Sequence, residues 1–184
     1  MPLTLIDTET ITSAVSEIDF TSGFSSDYLA IEFHCYNIHP ESLYHFGFQV
    51  NCSSGNTSGF NNIITSNVYE AWQNDAGSST NLIYAPSWDQ AEGVALQTLA
   101  TYVGGGFSVD NDATTSGILT LYDPTNVDTI THFISRFSNH YQEGYLFDEN
   151  VAGYINAEEP IDEVRFAMST DDIHSGIIKM FGVS

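Results

Sequence analysis

Tyr28-Leu29-Ala30-Ile31-Glu32-Phe33-His34-Cys35-Tyr36-Asn37-Ile38-His39-Pro40 is the stretch from which the fold can be read. Successive side chains of an extended chain point to opposite sides, so Leu29, Ile31, Phe33 and Cys35 share one face while Glu32 and His34 take the other. That pattern predicts a half-buried strand over 28–38, closed by the Asn37 to Pro40 segment because Pro40 cannot continue a ladder. The next segment repeats it. Over 43–52, Tyr44, Phe46, Phe48 and Val50 fall on one face.

Working outward, further strands are expected over 63–73 (Val68 and Trp72 on one side), 82–88 (interrupted by Pro86), 117–122, 129–137, 144–155, 161–168 and 173–181. The segment 91–103 has apolar spacing that fits a helix or a strand, and its all-β context favours a strand. The last two strands are expected to pair as a hairpin across 169–172. Nine or ten short strands with turn signals between them predict an antiparallel sandwich or barrel. Residues 1–26, rich in Thr and Ser, read as an N-terminal arm, and 27–184 as the β domain.

The final strand is apolar on both faces. Simple alternation puts Ile173, Ile177 and Phe181 on one side and Ile178 and Met180 on the other. One face can meet the opposite sheet, and the other needs a cover. These five residues are therefore the candidates for an oligomer interface.

Composition narrows the function. The chain has 184 residues, 12 Phe, 10 Tyr and 14 Gly, which suits strands and tight turns. It carries 24 Asp and Glu against 3 Lys and Arg, a net charge of −21. Phosphate backbones and anionic membrane surfaces would be repelled, so neither nucleic acid nor membrane insertion is expected. No run of 18 apolar residues occurs, and the start Met1-Pro2-Leu3-Thr4-Leu5 lacks a signal-peptide pattern. Cys35 and Cys52, on neighbouring predicted strands, could meet, but buried free thiols are the simpler expectation. Asn51-Cys52-Ser53 and Asn56-Thr57-Ser58 match the glycosylation sequon without any secretory context.

Catalytic patterns are missing. There is no G-x-S-x-G elbow, no HExxH and no papain-like cysteine context. With this many acids, a carboxylate pair for glycoside hydrolysis cannot be singled out. The reading is therefore not an enzyme, with no cofactor. Asp110-Asn111-Asp112 and Asp171-Asp172 are acidic turns that could hold Ca2+, although the EF-hand pattern fails at Thr115. His34 and His45 could face each other on adjacent strands. Trp72 and Trp88, with Tyr69 and Tyr84, could form a platform on which a sugar stacks, against the plainer reading as core aromatics.

Several segments in order carry a family resemblance: Ile18-Asp19-Phe20-Thr21; the strand ending Asn37-Ile38-His39-Pro40; Ser116-Gly117-Ile118-Leu119-Thr120-Leu121-Tyr122-Asp123-Pro124; Ala152-Gly153-Tyr154; Ile161-Asp162-Glu163-Val164-Arg165-Phe166; Ser169, Ile173 and Ser175-Gly176; and Lys179-Met180-Phe181-Gly182. From about residue 18 to the end, the chain resembles small virion structural proteins of tailed phages, frequent in marine and cyanobacterial phages. The resemblance implies an all-β, jelly-roll-like antiparallel sandwich. It also implies symmetric homo-oligomers, preferably trimers, that contact other virion proteins as a capsid decoration or a tail or fibre module. Such a protein is assembled in the host cytoplasm and ends in the virion. The chain departs from that pattern at Asp171-Asp172, where the family tends to have Gly-Asn. The expected function is an accessory virion structural protein, with glycan binding, and more remotely a glycan hydrolase or lyase, as alternatives.

Overall fold

Alternation sorts the strands of the computed structural model into a buried and an outward phase, and the buried phases of two sheets meet to form the core. Residues 2–42, 44–52, 59–103, 113–141 and 143–184 are described. The strands are β1 (Leu3–Ile11), β2 (Glu17–Phe20), β3 (Ala30–Pro40), β4 (Tyr44–Cys52), β5 (Ile64–Asn74), β6 (Thr80–Tyr84), β7 (Gln97–Val103), β8 (Thr115–Tyr122), β9 (Thr131–Tyr141), β10 (Tyr145–Ile155), β11 (Ile161–Met168) and β12 (Ile173–Val183). A short 3-10 turn, Pro86–Trp88, follows β6, so Pro86 ends the expected strand there instead of interrupting it.

The eight-stranded sheet has the order β1-β12-β3-β8-β9-β10-β5-β6, and the four-stranded sheet the order β2-β11-β4-β7. All pairings are antiparallel. The pairs β3–β12, β4–β11 and β5–β10 are nested in sequence and alternate between the sheets. This is the wrapping of a jelly roll, with the β8–β9 hairpin inserted in the larger sheet. Residues 1–26 supply an outer strand to each sheet, β1 on β12 and β2 on β11.

Two sequence expectations are corrected. β11 and β12 do not form a hairpin, because residues 169–172 carry the chain from the small sheet to the large one. Asp171 lies at φ 69° in that crossing, the left-handed conformation that glycine takes at least cost. Within β12, register shifts on both sides of Ser175 and a Gly176 at φ 142° mark a bulge. A bulge reverses the facing of every residue after it in the strand. Ile173, Ile178 and Met180 therefore all point inward and are fully buried, whereas Ile177 and Phe181 lie on the outer face.

Phe33 of the large sheet sits against Phe20 and Phe166 of the small one, with both ring centroids 5.2 Å away. Phe46 stacks on Phe166 at 5.7 Å, and Phe48 meets Phe133 edge-on at 5.1 Å. Each such buried phenyl is worth roughly 1.5–3 kcal/mol in transfer alone. Two glycines are dictated by close approach. A Cβ on Gly117 would lie 2.4 Å from the Arg136 carbonyl, and one on Gly182 would lie 2.3 Å from the Tyr28 ring. Cys35 and Cys52 are free and buried in different sheets, and burial pushes both thiols well above their usual range.

The two outer faces differ. Loops lie over the small sheet. Gln49 donates from Nε2 to the carbonyls of Asn62, Val94 and Ala95 (3.2, 3.0 and 3.2 Å), and Phe60 lies 4.0 Å over the Arg165 guanidinium. No described segment lies over the outer face of the large sheet.

Candidate interaction surface and aromatic cleft

The outward phase of the large sheet can be followed across the strands by register. One row runs Lys179, His34, Ile118, Arg136, Asn150, Tyr69 and Tyr84, and the next runs Phe181, Glu32, Thr120, Ile134, Ala152 and Asn67. Leu82, Leu146, Tyr36 and Tyr122 add to the same face. These eight large side chains (Tyr36, Tyr69, Leu82, Tyr84, Ile118, Tyr122, Ile134 and Leu146) are each between 40% and 69% exposed.

Charge on this face is scarce and balanced. Among the described strand residues, the acids that project from it are Glu32 and Asp148, on the same face as two of the chain's three cations, Arg136 and Lys179. The remaining acids on its strands turn away. Asp7 and Glu9 pair with the inward Met180 and Ile178, and Glu70 and Glu149 lie buried. Both outward carboxylates are also partnered. Arg136 donates from Nε and Nη2 to the two oxygens of Asp148 at 2.8 and 2.7 Å, and this holds the carboxyl below its usual range. His34 lies 2.8 Å from Glu32. The third cation, Arg165, sits on the small sheet, forked onto Asp19 (2.7 Å twice) with Glu17 at 2.8 Å.

A second feature opens where β5, β7, β9 and β10 end together. Trp72, Tyr102, Tyr141, Tyr145 and Phe147 line a cleft of about 350 Å³ with Glu70 and Glu143. Beneath it, Glu149 and Glu70 are direct cross-strand neighbours on the inner face, 1% and 5% exposed. β7 is an edge strand of the small sheet, and side chains of the large sheet cap its free backbone groups. Thr101 N–H donates to both oxygens of Glu149 at 2.8 Å, and Asn139 Nδ2 donates to Thr101 C=O. Burial raises the Glu149 carboxyl to about 8, with the Glu70 charge adding to the rise and the Thr101 and Asn139 bonds opposing it. Burial also raises Glu70, which leaves Oε2 without a hydrogen-bond partner.

The sequence candidates are thus separated. Tyr69 and Tyr84 pair on the outer face, while Trp72 sits on the opposite side of β5 in the cleft. Trp88 packs on His45 at 4.1 Å and on Tyr102 at 6.2 Å, outside the cleft lining. The four aromatics do not form one platform. His34 and His45 lie on different sheets and do not face each other. Asp171 accepts from the Ser42 hydroxyl at 2.7 Å. Asp110-Asn111-Asp112 and Asn56 to Ser58 of the second sequon lie outside the described residues. Among the described residues, no three metal-ligating side chains gather, and no helix is long and apolar enough to cross a membrane.

No family model and no curated protein matches the chain.

Sequence reasoning missed the Glu70–Glu149–Thr101–Asn139 node. A signal was present, since Glu70, Asn139 and Glu149 each occupy the apolar phase of their strands, as in Phe147-Glu149-Val151. A glycoside hydrolase needs both carboxylates to open onto the substrate. Here Glu149 is engaged with Thr101 and does not line the cleft.

Proposed function

We propose that the chain is an accessory structural protein of a tailed-phage virion that works by assembling in copies through the outer face of its eight-stranded sheet. The phage assignment rests on the sequence resemblance. The assembly mode rests on one observation, that this uncovered, apolar-rich face carries balanced charge on a chain of net charge −21. Two such chains repel one another over most of their surface, and contact costs least where carboxylates are few and already paired. The occupant argued for is therefore a second copy.

The dimensions suit that role. Eight strands at about 4.8 Å spacing span roughly 34 Å, and eight residues of strand add roughly 26 Å. The resulting area of roughly 900 Å² compares with the ~800 Å² per partner of a stable interface. Exposed Ile118 and Ile134 lie at its centre and exposed tyrosines around them, and tyrosine is a residue type enriched at interfaces that exclude water.

The test is association with particles. The tagged protein should co-sediment with phage particles through a density gradient and be seen on their surface or tail by electron microscopy as symmetric copies. Recovery only in the soluble fraction of an infected lysate, with particles complete without it, would remove the virion assignment.

A further inference from the structure

We propose that the aromatic cleft binds an organic ammonium ion, the alkylated-amine head of a choline-like compound or of a methylated lysine side chain. The ring arrangement is the first support. Trp72 meets Tyr145 at 64°, Tyr141 meets Phe147 at 71°, and Tyr102 meets Phe147 at 36°, with centroids 5.8, 6.5 and 5.8 Å apart. Flat sugar rings stack on coplanar aromatics, whereas the five rings lining this cleft are tilted to one another, and an aromatic lining with no shared plane suits a compact alkylated cation better than a flat ring. The cleft is also large enough for a trimethylammonium group.

The second support is a missing countercharge. Glu70 lines the cleft while 95% buried, and its Oε2 has no hydrogen-bond partner. Its cross-strand neighbour Glu149 is another buried acid, which holds its proton at neutral pH, and among the described residues no cation of the protein is paired with Glu70. Arg136 and Arg165 are committed to Asp148 and to Asp19 with Glu17, and Lys179 lies on β12 at the far side of the sheet. A ligand that brings a positive charge over these rings supplies what the site lacks. Glu143 at the rim and the net charge of −21 draw cations toward the mouth.

Calorimetric titration of the full-length protein with tetramethylammonium, choline, free trimethyllysine and a panel of neutral saccharides tests this. Tetramethylammonium and choline should bind saturably, and the uncharged carbon isostere of choline, dimethylbutanol, should bind about ten-fold more weakly or worse. Preference between choline and trimethyllysine identifies the source of the ammonium group. Glu70→Gln should weaken choline about ten-fold, and Glu143→Gln, at the exposed rim where folding is not at stake, about two- to three-fold. Equal binding of the isostere, saccharide binding in place of ammonium binding, or unchanged choline affinity in both variants would overturn the proposal.

Discussion

At the residue scale, Glu149 shows how a side chain that breaks the hydrophobic pattern can still stabilise the fold. Its position between Phe147 and Val151 demands an apolar residue, yet its two oxygens satisfy the backbone of an edge strand from the opposite sheet. Because its carboxyl is raised from 4.5 to about 8 in the folded chain, the folded state holds a proton that the unfolded state releases. Its contribution is therefore complete below about pH 4.5 and is lost as pH rises toward and through 8. Thermal melts between pH 6 and 9 should show stability falling with pH, and Glu149→Gln should flatten that slope. A slope identical in the variant would place the effect elsewhere. Gly117 makes a simpler case. Its missing side chain faces the backbone oxygen of Arg136, which cannot swing aside. Gly117→Ala should cost about 1–3 kcal/mol in denaturant unfolding by overpacking, whereas Gly182→Ala meets a ring that can rotate and should cost less.

At the element scale, strand positions were legible because most of each strand keeps a two-residue period. β9 places Phe133, Ser135 and Phe137 inward and His132, Ile134 and Arg136 outward, as alternation requires. Partnership between strands was not legible. The turn chemistry of Ser169 to Asp172 fits a hairpin as well as a crossover, and only the core decides, since Phe166 and Ile178 are both buried in it from opposite sheets. The β12 bulge hid for a related reason: the register irregularity on both sides of Ser175 reverses every later side chain. Nor could the sequence place Trp72 beside Tyr102 or Glu70 beside Glu149, because those neighbours come from strands far apart in the chain. β2 has only four residues, and Arg165 ties it to β11 through Asp19 and Glu17. Arg165→Ala should lower stability by about 1–2 kcal/mol and speed amide hydrogen exchange at residues 17–20, leaving β1 protected. Equal acceleration in β1 would show that the two outer strands open as one unit.

At the scale of the whole molecule, the charge distribution connects fold to function. A sandwich has two outer faces, and here they are finished differently. Loops pinned by Gln49 lie over the small sheet, while the large sheet presents Ile118, Ile134, Tyr69 and Leu82 with its few charges paired. Acids elsewhere on the molecule oppose contact between copies, which is why the proposed assembly runs through this face. If that is correct, added salt should promote self-association, since it screens the repulsion between chains of charge −21 more than it weakens a largely apolar contact.

The most direct test is sedimentation velocity of the native chain and of Ile134→Glu, across a concentration series at low and high salt. Ile134 lies in the middle of the face and is half exposed, so the substitution leaves the core untouched. Assembly through this face predicts concentration-dependent oligomers for the native chain, strengthened by salt and shifted at least ten-fold toward monomer by one buried carboxylate. A native chain that stays monomeric throughout, or a variant that associates as well as the native chain does, would contradict it.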